Sequence, residues 1–275
     1  MLVALVLSFV PTPYYVVAPG RAVDQSTRVA VEGHAAPRRR FYLTDVTVAR
    51  ASVPLLLAGL WPGVRIVRRD TLVPQGESAR AYDLSMVDAM NESQAAAAIA
   101  AERAAGYAVP EPAASTFVRG FLGASPAAGA LEPGDAIVRV GPVPIRRLAD
   151  LRFALRGVRA GSSVTVGYVR AGRLDRVRLA TIAGPAGARL GIFLRTRTAK
   201  PDLPVAVRYE VSDIAGSSGG LMFALEIYAS LHPAAARDPI AGTGTIGSDG
   251  RVGPIEGVEQ KLIAARRAGA RTFLV

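Results

Sequence analysis

Residues 213–231 read DIAGSSGGLMFALEIYASL, and the way this stretch folds decides what kind of protein the chain is. A strand-like run at 205–211 feeds the small-residue turn Gly216-Ser217-Ser218-Gly219-Gly220, after which the pattern becomes that of an apolar helix. A serine at the mouth of a helix sits among unpaired backbone N–H groups and near the positive end of the helix dipole, both of which favour a developing oxyanion. The flanking glycines, Gly216 and Gly219 among them, let a substrate backbone come close.

The turn admits four readings. It satisfies G-x-S-x-G, the nucleophile elbow, which needs an Asp and a His later in the chain. The only later histidine is His232, fourteen residues on at the end of the same helix, so that reading fails. Gly-Ser-Ser ahead of a helix also suits phosphate binding. The sequence contains no G-x-x-x-x-G-K-[ST] motif, which removes P-loop enzymes and leaves a small-molecule kinase open. The third reading is a helix cap with tight packing and no chemistry. The fourth brings in Lys261.

Residues 256–268 (EGVEQKLIAARRA) read as a helix closed by Gly269, with Val258, Leu262 and Ala265 on its apolar face and Lys261 in the same stripe. A lysine on a buried face is disfavoured as a cation, so its pKa falls, and it can then take a serine proton without a histidine. The alternative is a lysine that snorkels to the surface. Of the 33 basic residues only Lys200 and Lys261 are lysines. Arginine does not give up its proton under ordinary conditions, so a lysine kept against that bias fits the role of a base.

Composition narrows the rest. The absence of cysteine excludes disulfides, thiolate nucleophiles and Cys-based zinc sites, and no metal or cofactor is called for. The formal charge of +11 is spread along the chain, its densest run being Arg38-Arg39-Arg40, and no nucleic-acid motif accompanies it. Nucleic acid is therefore not an expected partner, whereas weak attraction to anionic lipid headgroups is. His34 and His232 read as loop residues, and Glu210 with Asp213 as solvent-facing carboxylates.

Residues 1–10 (MLVALVLSFV) form an uncharged apolar run ended by Pro11-Thr12-Pro13. Ten helical residues span about 15 Å, half a bilayer core. Without a basic leader or an A-x-A site, the run reads as the end of a signal anchor whose beginning is missing, with a buried strand as the alternative. Further on, a strand is expected at 41–48, a short helix at 55–61, and a long Ala-rich helix at 85–105 stopped by Gly106. From 116 to 182 the pattern changes to short strands with glycine turns. A strand at 136–140 is followed by a helix with Leu148, Leu151 and Leu155 on one face, then a strand at 163–169.

Two resemblances follow from these motifs. Residues 106–182 resemble a bacterial PDZ domain through S-P-A-A-x-x-L-x-P-G-D (125–135), D-L-R-x-A-L (150–155) and R-A-G-R (170–173). That resemblance implies an extended peptide added as a strand, often captured by its C-terminal carboxylate. Thr116, Phe117 and Val118 would lie in the edge strand, and residues 106–109 near the carboxylate loop. Residues 213–231 and 243–275 resemble the proteolytic domain of Lon, whose nucleophile lies in G-P-S-A-G-L and whose lysine lies in G-G-L-K-E-K-L-L-A-A. By that resemblance Ser218 is the nucleophile and Lys261 the catalytic lysine, and their separation matches the family without a gap. Thr243, in Gly242-Thr243-Gly244, holds the lysine, and Met90-Asn91-Glu92-Ser93-Gln94 is similar to the M-K-E-S helix of Lon. The chain departs from the family at Ser217 (proline in Lon), Gly219 (alanine), Glu256 (glycine) and Glu259 (the first lysine). It also stops at the strand 272–275, where the family continues.

The expected architecture is α+β, a Lon-type proteolytic domain with an inserted PDZ domain. Residues 1–20 are a clipped membrane anchor, 21–105 the first part of the proteolytic domain, 106–182 the PDZ domain and 183–275 the catalytic part. The resemblance to single-pass, PDZ-containing Lon-like peptidases implies an ATP-independent serine endopeptidase held on the extracytoplasmic side of the membrane. It would act without cofactor on protein or peptide substrates, recognised through their C-terminal tails, and assemble as a hexamer. The backbone N–H groups around Ser218 and Gly219 are the expected oxyanion hole. A catalytically inactive PDZ adaptor on a degenerate Lon fold is the main alternative, and a small-molecule kinase the third.

Overall fold

The computed structural model describes residues 11–73, 79–184, 187–235 and 238–275, and the chain divides into two compact units. The larger holds the described residues up to Val73 together with Arg80–Glu111 and Pro201–Val275; the smaller comprises Pro112–Lys200. The apolar run 1–10 lies outside the described residues. Among those described, no helix is long and apolar enough to cross a membrane.

The larger unit starts with β1 (Pro11–Asp24), β2 (Val29–Val31) and β3 (Phe41–Ser52). Branched and aromatic residues in Tyr14-Tyr15-Val16-Val17 and in FYLTDVTV suit a pleated, half-buried surface. The strand expected to end at 48 continues to Ser52 because β1 pairs with it antiparallel, Tyr15 opposite Arg50 and Pro11 opposite Ser52. The short helix expected next is the 3-10 helix Pro54–Leu60, opened by a proline whose missing N–H costs nothing there. β4 (Arg65–Arg68) and α1 (Arg69–Leu72) precede α2 (Ala79–Ala104). Ala97, Ala98 and Ala101 are buried on α2, where small side chains let it lie close to its neighbours. The helix stops where Gly106 N–H bonds to Arg103 O and Tyr107 N–H to Glu102 O.

The smaller unit contains β5 (Ala114–Phe121), β6 (Ala136–Val140), β7 (Val143–Pro144), α3 (Leu148–Ala154), β8 (Ser163–Arg170), β9 (Arg173–Ala180), β10 (Ile182–Gly184), β11 (Gly187–Arg189) and β12 (Ile192–Thr198). Its main sheet runs β12-β5-β6-β8-β9, antiparallel throughout, over a core that includes Val118, Leu131, Ile137, Val166 and Leu190. Two motifs noted in the sequence meet here. Arg170 donates to both carboxylate oxygens of Asp135, at 2.8 and 2.7 Å, which holds that carboxyl below its ordinary range against the effect of burial. The expected limits of 106–182 are corrected at both ends. Residues 106–111 belong to the larger unit, and the smaller one continues to Lys200 because β12 completes its sheet against β5.

The chain then returns to the larger unit through β13 (Val207–Tyr209), which pairs with β2. α4 (Gly220–Leu231), β14 (Ile240–Gly242), the hairpin of β15 (Thr245–Ile246) and β16 (Val252–Gly253), α5 (Val258–Arg267) and β17 (Thr272–Leu274) follow. The main sheet has the order β17-β14-β3-β1-β4, with β14 parallel to both neighbours and β3, β1 and β4 antiparallel. α4 buries Met222, Phe223 and Ile227 completely against a core that includes Phe41, Leu43, Met90 and Ala98. Each such side chain contributes about 1.5–3 kcal/mol by burial.

α5 corrects one expectation. Its buried residues are Gln260, Lys261, Ala264 and Ala265, while Val258 and Leu262 are about 40% exposed. Two alanines let the helix approach β1 and β3 closely, and the Gln260 side chain is accepted there because it donates to Gly63 O at 2.9 Å. The helix therefore keeps Lys261 and Ala265 inside, as expected, with Gln260 and Ala264 in place of Val258 and Leu262.

Candidate active site

Three segments converge at the start of α4. The 213–220 turn is entered through Gly216, whose φ of +94° is a backbone state that few residues other than glycine adopt, and its N–H bonds to Met86 O on α2. Ser93, about two α2 turns further, donates to Ser217 O at 2.9 Å. From the other side the strand exit Gly242-Thr243-Gly244 runs against the turn: Gly244 N–H bonds to Ser218 O at 2.7 Å and Leu221 N–H to Gly244 O at 3.0 Å. The Thr243 hydroxyl also donates to Ser218 O, at 3.0 Å.

Lys261 reaches in from α5. Its Nζ lies 2.9 Å from Ser218 Oγ and 3.0 Å from Thr243 Oγ1, and the residue is only 3% exposed. Burial pushes its pKa down to about 8, while the carboxylates of Asp45 and Glu256 act in the opposite direction from a distance. Near neutrality a useful fraction of the amine is therefore unprotonated, as a base requires. Ser218, Lys261 and Thr243 are thus brought together.

Gly219 caps α4, and a Cβ built there would sit 3.1 Å from Phe223 Cε2 and 3.2 Å from both Leu43 methyls. The space that an alanine would fill after the serine is taken by these two larger neighbours. Among the described residues, the N–H groups of Ser218 and Gly219 take no part in the hydrogen bonds of the turn, and both residues line the cleft that Lys261 also lines.

A cleft opens beside the pair, lined by Leu43, Asp45, Met90, Ile214, Ala215 and Gly216. Its rim holds an ionic network built around Asp213, which is exposed as expected. Asp213 bridges Arg28 at 2.9 Å and Arg21 at 3.1 Å, Arg28 also donates to Glu210 O, and the Arg21 backbone N–H donates to Asp45. Burial acts against ionisation of Asp213, but the two guanidinium groups hold its carboxyl below the usual range. The network ties the approach to Ser218 onto β1 and β3. His34 bonds only to Glu32 O in its own turn, and His232 stacks on Tyr228; neither approaches Ser218.

The peptide site expected at Thr116, Phe117 and Val118 is corrected. β5 is an interior strand: Thr116 lies opposite Thr196 on one side and Ile137 on the other, and Phe117 between Arg195 and Ala136. Its backbone is already paired on both edges, so no strand can be added there. The outer strand on that side is β12. Residues 106–109 belong to the larger unit. β12 lies more than 70 residues after β5 in sequence, beyond the last PDZ-like motif, so nothing local to β5 signals the strand that covers its edge.

Among the described residues no cluster of His, Asp or Glu side chains has the arrangement of a metal site.

Residues 206–275 match the Lon protease (S16) C-terminal proteolytic domain. Over 74 residues, 27% of its length, the chain is 39% identical to Lon protease 1 of Herpetosiphon aurantiacus, of whose length it covers 9%. Among solved structures, the PDZ domain of the SdrC-like protein of Listeria monocytogenes is 18% identical, covers 29% of this chain and 85% of its own, and superposes with a TM-score of 0.27. A Geobacillus thermodenitrificans protein solved in solution is 30% identical, covers 26% and 82%, and has a TM-score of 0.24.

Proposed function

We propose that the chain is an ATP-independent serine endopeptidase in which Ser218 is the nucleophile and Lys261 the general base. The observation that carries this reading is the 2.9 Å separation between Lys261 Nζ and Ser218 Oγ at a site where the amine is 3% exposed and its pKa is lowered to about 8. Neutral Lys261 takes the hydroxyl proton as Ser218 Oγ attacks the scissile carbonyl carbon. The carbonyl oxygen, now negative, is received by the Ser218 and Gly219 N–H groups. Collapse of the tetrahedral intermediate expels the amine, which takes the proton from Lys261. Water, deprotonated by Lys261, then releases the acyl group from Ser218. Thr243 is a positioning residue: it accepts from Lys261 Nζ and donates to Ser218 O, so one hydroxyl fixes both partners.

The smaller unit is read as a PDZ-like module that takes an extended substrate tail along the open edge of β12. Residues 1–10 are read as part of a membrane anchor, with catalysis on the extracytoplasmic side and a hexamer as the assembled form.

Incubating the full chain with an unfolded protein such as casein, with and without ATP, tests this function. Cleavage of equal rate in both, lost by at least about a thousandfold in Ser218→Ala, is expected. Undiminished cleavage by Ser218→Ala would overturn the assignment; binding without cleavage by the unmodified chain would leave the adaptor.

A further inference from the structure

We infer that the outer face of the 3-10 helix Pro54–Leu60, together with Trp61, docks into the interfacial layer of an anionic lipid membrane. The inference does not depend on the peptidase reading. The segment is two-faced: Leu56 and Ala58 pack inward against Val16 and Ala51, whereas Leu57, Leu60 and Trp61 point outward and are 66%, 84% and 66% exposed. Large apolar side chains gathered on one surface in this way mark a surface made to be covered.

Two observations choose the occupant. The first is charge. Between Asp45 and Asp70 the sequence contains no acidic residue, while Arg50, Arg65, Arg68 and Arg69 are all exposed, Arg68 pairing with Asp70 at 3.4 Å. An apolar ridge beside arginines is the composition of a surface that lies in the headgroup layer of an anionic bilayer, and tryptophan is the residue most suited to that layer. A second copy of the chain, itself at +11, would bring arginines against arginines.

The second is position. Ser52, the last residue of β3, lies opposite Pro11, the first residue of β1, so the segment that carries Leu57, Leu60 and Trp61 starts beside the point where the apolar sequence 1–10 joins the sheet. Arg68 lies opposite Tyr14 near the same end. Whatever apolar medium receives residues 1–10 is thus close to the exposed ridge.

The chain reports on this itself, because Trp61 is its single tryptophan. Full-length protein is mixed with vesicles of phosphatidylcholine and phosphatidylglycerol, and Trp61 emission is read with and without lipids brominated near the headgroup. The expected result is a shift to shorter wavelength and quenching by the brominated lipid. Both are lost in Leu57→Ser/Leu60→Ser, which keeps Trp61 and keeps its activity on a soluble substrate. Arg65→Gln/Arg68→Gln is expected to weaken binding to the anionic vesicles by about thirtyfold at low salt, with little change on pure phosphatidylcholine. If Trp61 emission stays solvent-like and unquenched while the chain sediments with the vesicles, residues 1–10 alone make the contact and the inference fails. A shift that grows with protein concentration in the absence of lipid overturns it as well, by giving the face to a second copy.

Discussion

The hydroxyl of Ser93 donates a 2.9 Å hydrogen bond to the carbonyl of Ser217, 124 residues later. Ser217 is the residue before Ser218, the proposed nucleophile, where the Lon motif has proline. The restraint that a proline ring imposes from within the turn is supplied here from outside, by a buried side chain of α2. Ser93→Ala is expected to cost about 1 kcal/mol of stability. It should lower kcat about tenfold, because a small displacement of a nucleophile is expensive, with KM nearly unchanged. A purely structural Ser93 would lower the melting temperature and leave kcat intact.

Activity should depend on pH through Lys261. The amine works only when neutral, and its pKa is lowered to about 8 by burial. Hence log kcat/KM should rise with a slope near one below about pH 8 and level off above it. Lys261→Arg should be inactive across the whole range, since a guanidinium cannot act as the base. A profile flat from neutrality upward, or measurable turnover by the arginine variant, would count against a lysine base.

Gly219 is fitted to its neighbours. Phe223 and Leu43 are fully packed and cannot yield the few tenths of an ångström that a methyl group needs. Gly219→Ala should therefore destabilise the protein by about 1–2 kcal/mol. Leu43→Val in the same chain, which draws the contacting methyls back by one carbon, should recover part of that loss. Urea unfolding of the two variants decides the matter; an additive loss in the double variant would show that crowding at Leu43 is not the cause.

Glu226 gives the fold a pH dependence unrelated to catalysis. The residue is fully buried, neither carboxyl oxygen has a hydrogen-bond partner among the described residues, and burial, reinforced by Asp24, raises its pKa to about 8. In the unfolded chain the same group titrates at 4.5. Between these values the folded state keeps a proton that the unfolded state has released, so stability falls as pH rises from about 4.5 to about 8. Glu226→Gln should remove that decline and be more stable than the parent by about 1–3 kcal/mol at pH 8, with little difference near pH 4.5. Equal urea midpoints for parent and variant at both pH values would refute it.

The elements with strong local signals were legible in the sequence. The α2 helix follows from its alanine run, β6 from the apolar stretch after a Pro-Gly turn, and α4 from the break at Gly216. Faces and edges were legible only in part. Of the expected inner face of α5, Lys261 and Ala265 are inside, but Gln260 and Ala264 stand there in place of Val258 and Leu262, with Gly63 O accepting from the Gln260 side chain. Thr116–Val118 read as an edge until β12 covered it. Asp213 faces solvent as its position suggests, but its pairing with Arg21 and Arg28, nearly two hundred residues earlier, has no local signal.

The sequence by itself determined which groups have reactive chemistry and which turn presents them: a serine among glycines at a helix start, and one of only two lysines on a chain that otherwise uses arginine. Those are local properties, set by backbone freedom and side-chain type. Only the tertiary structure decided that the amine is out of water and within hydrogen-bond reach of the hydroxyl. Desolvation and distance are produced by α2, β14 and α5 meeting at one point, and no single one of those segments carries that meeting in its own residues.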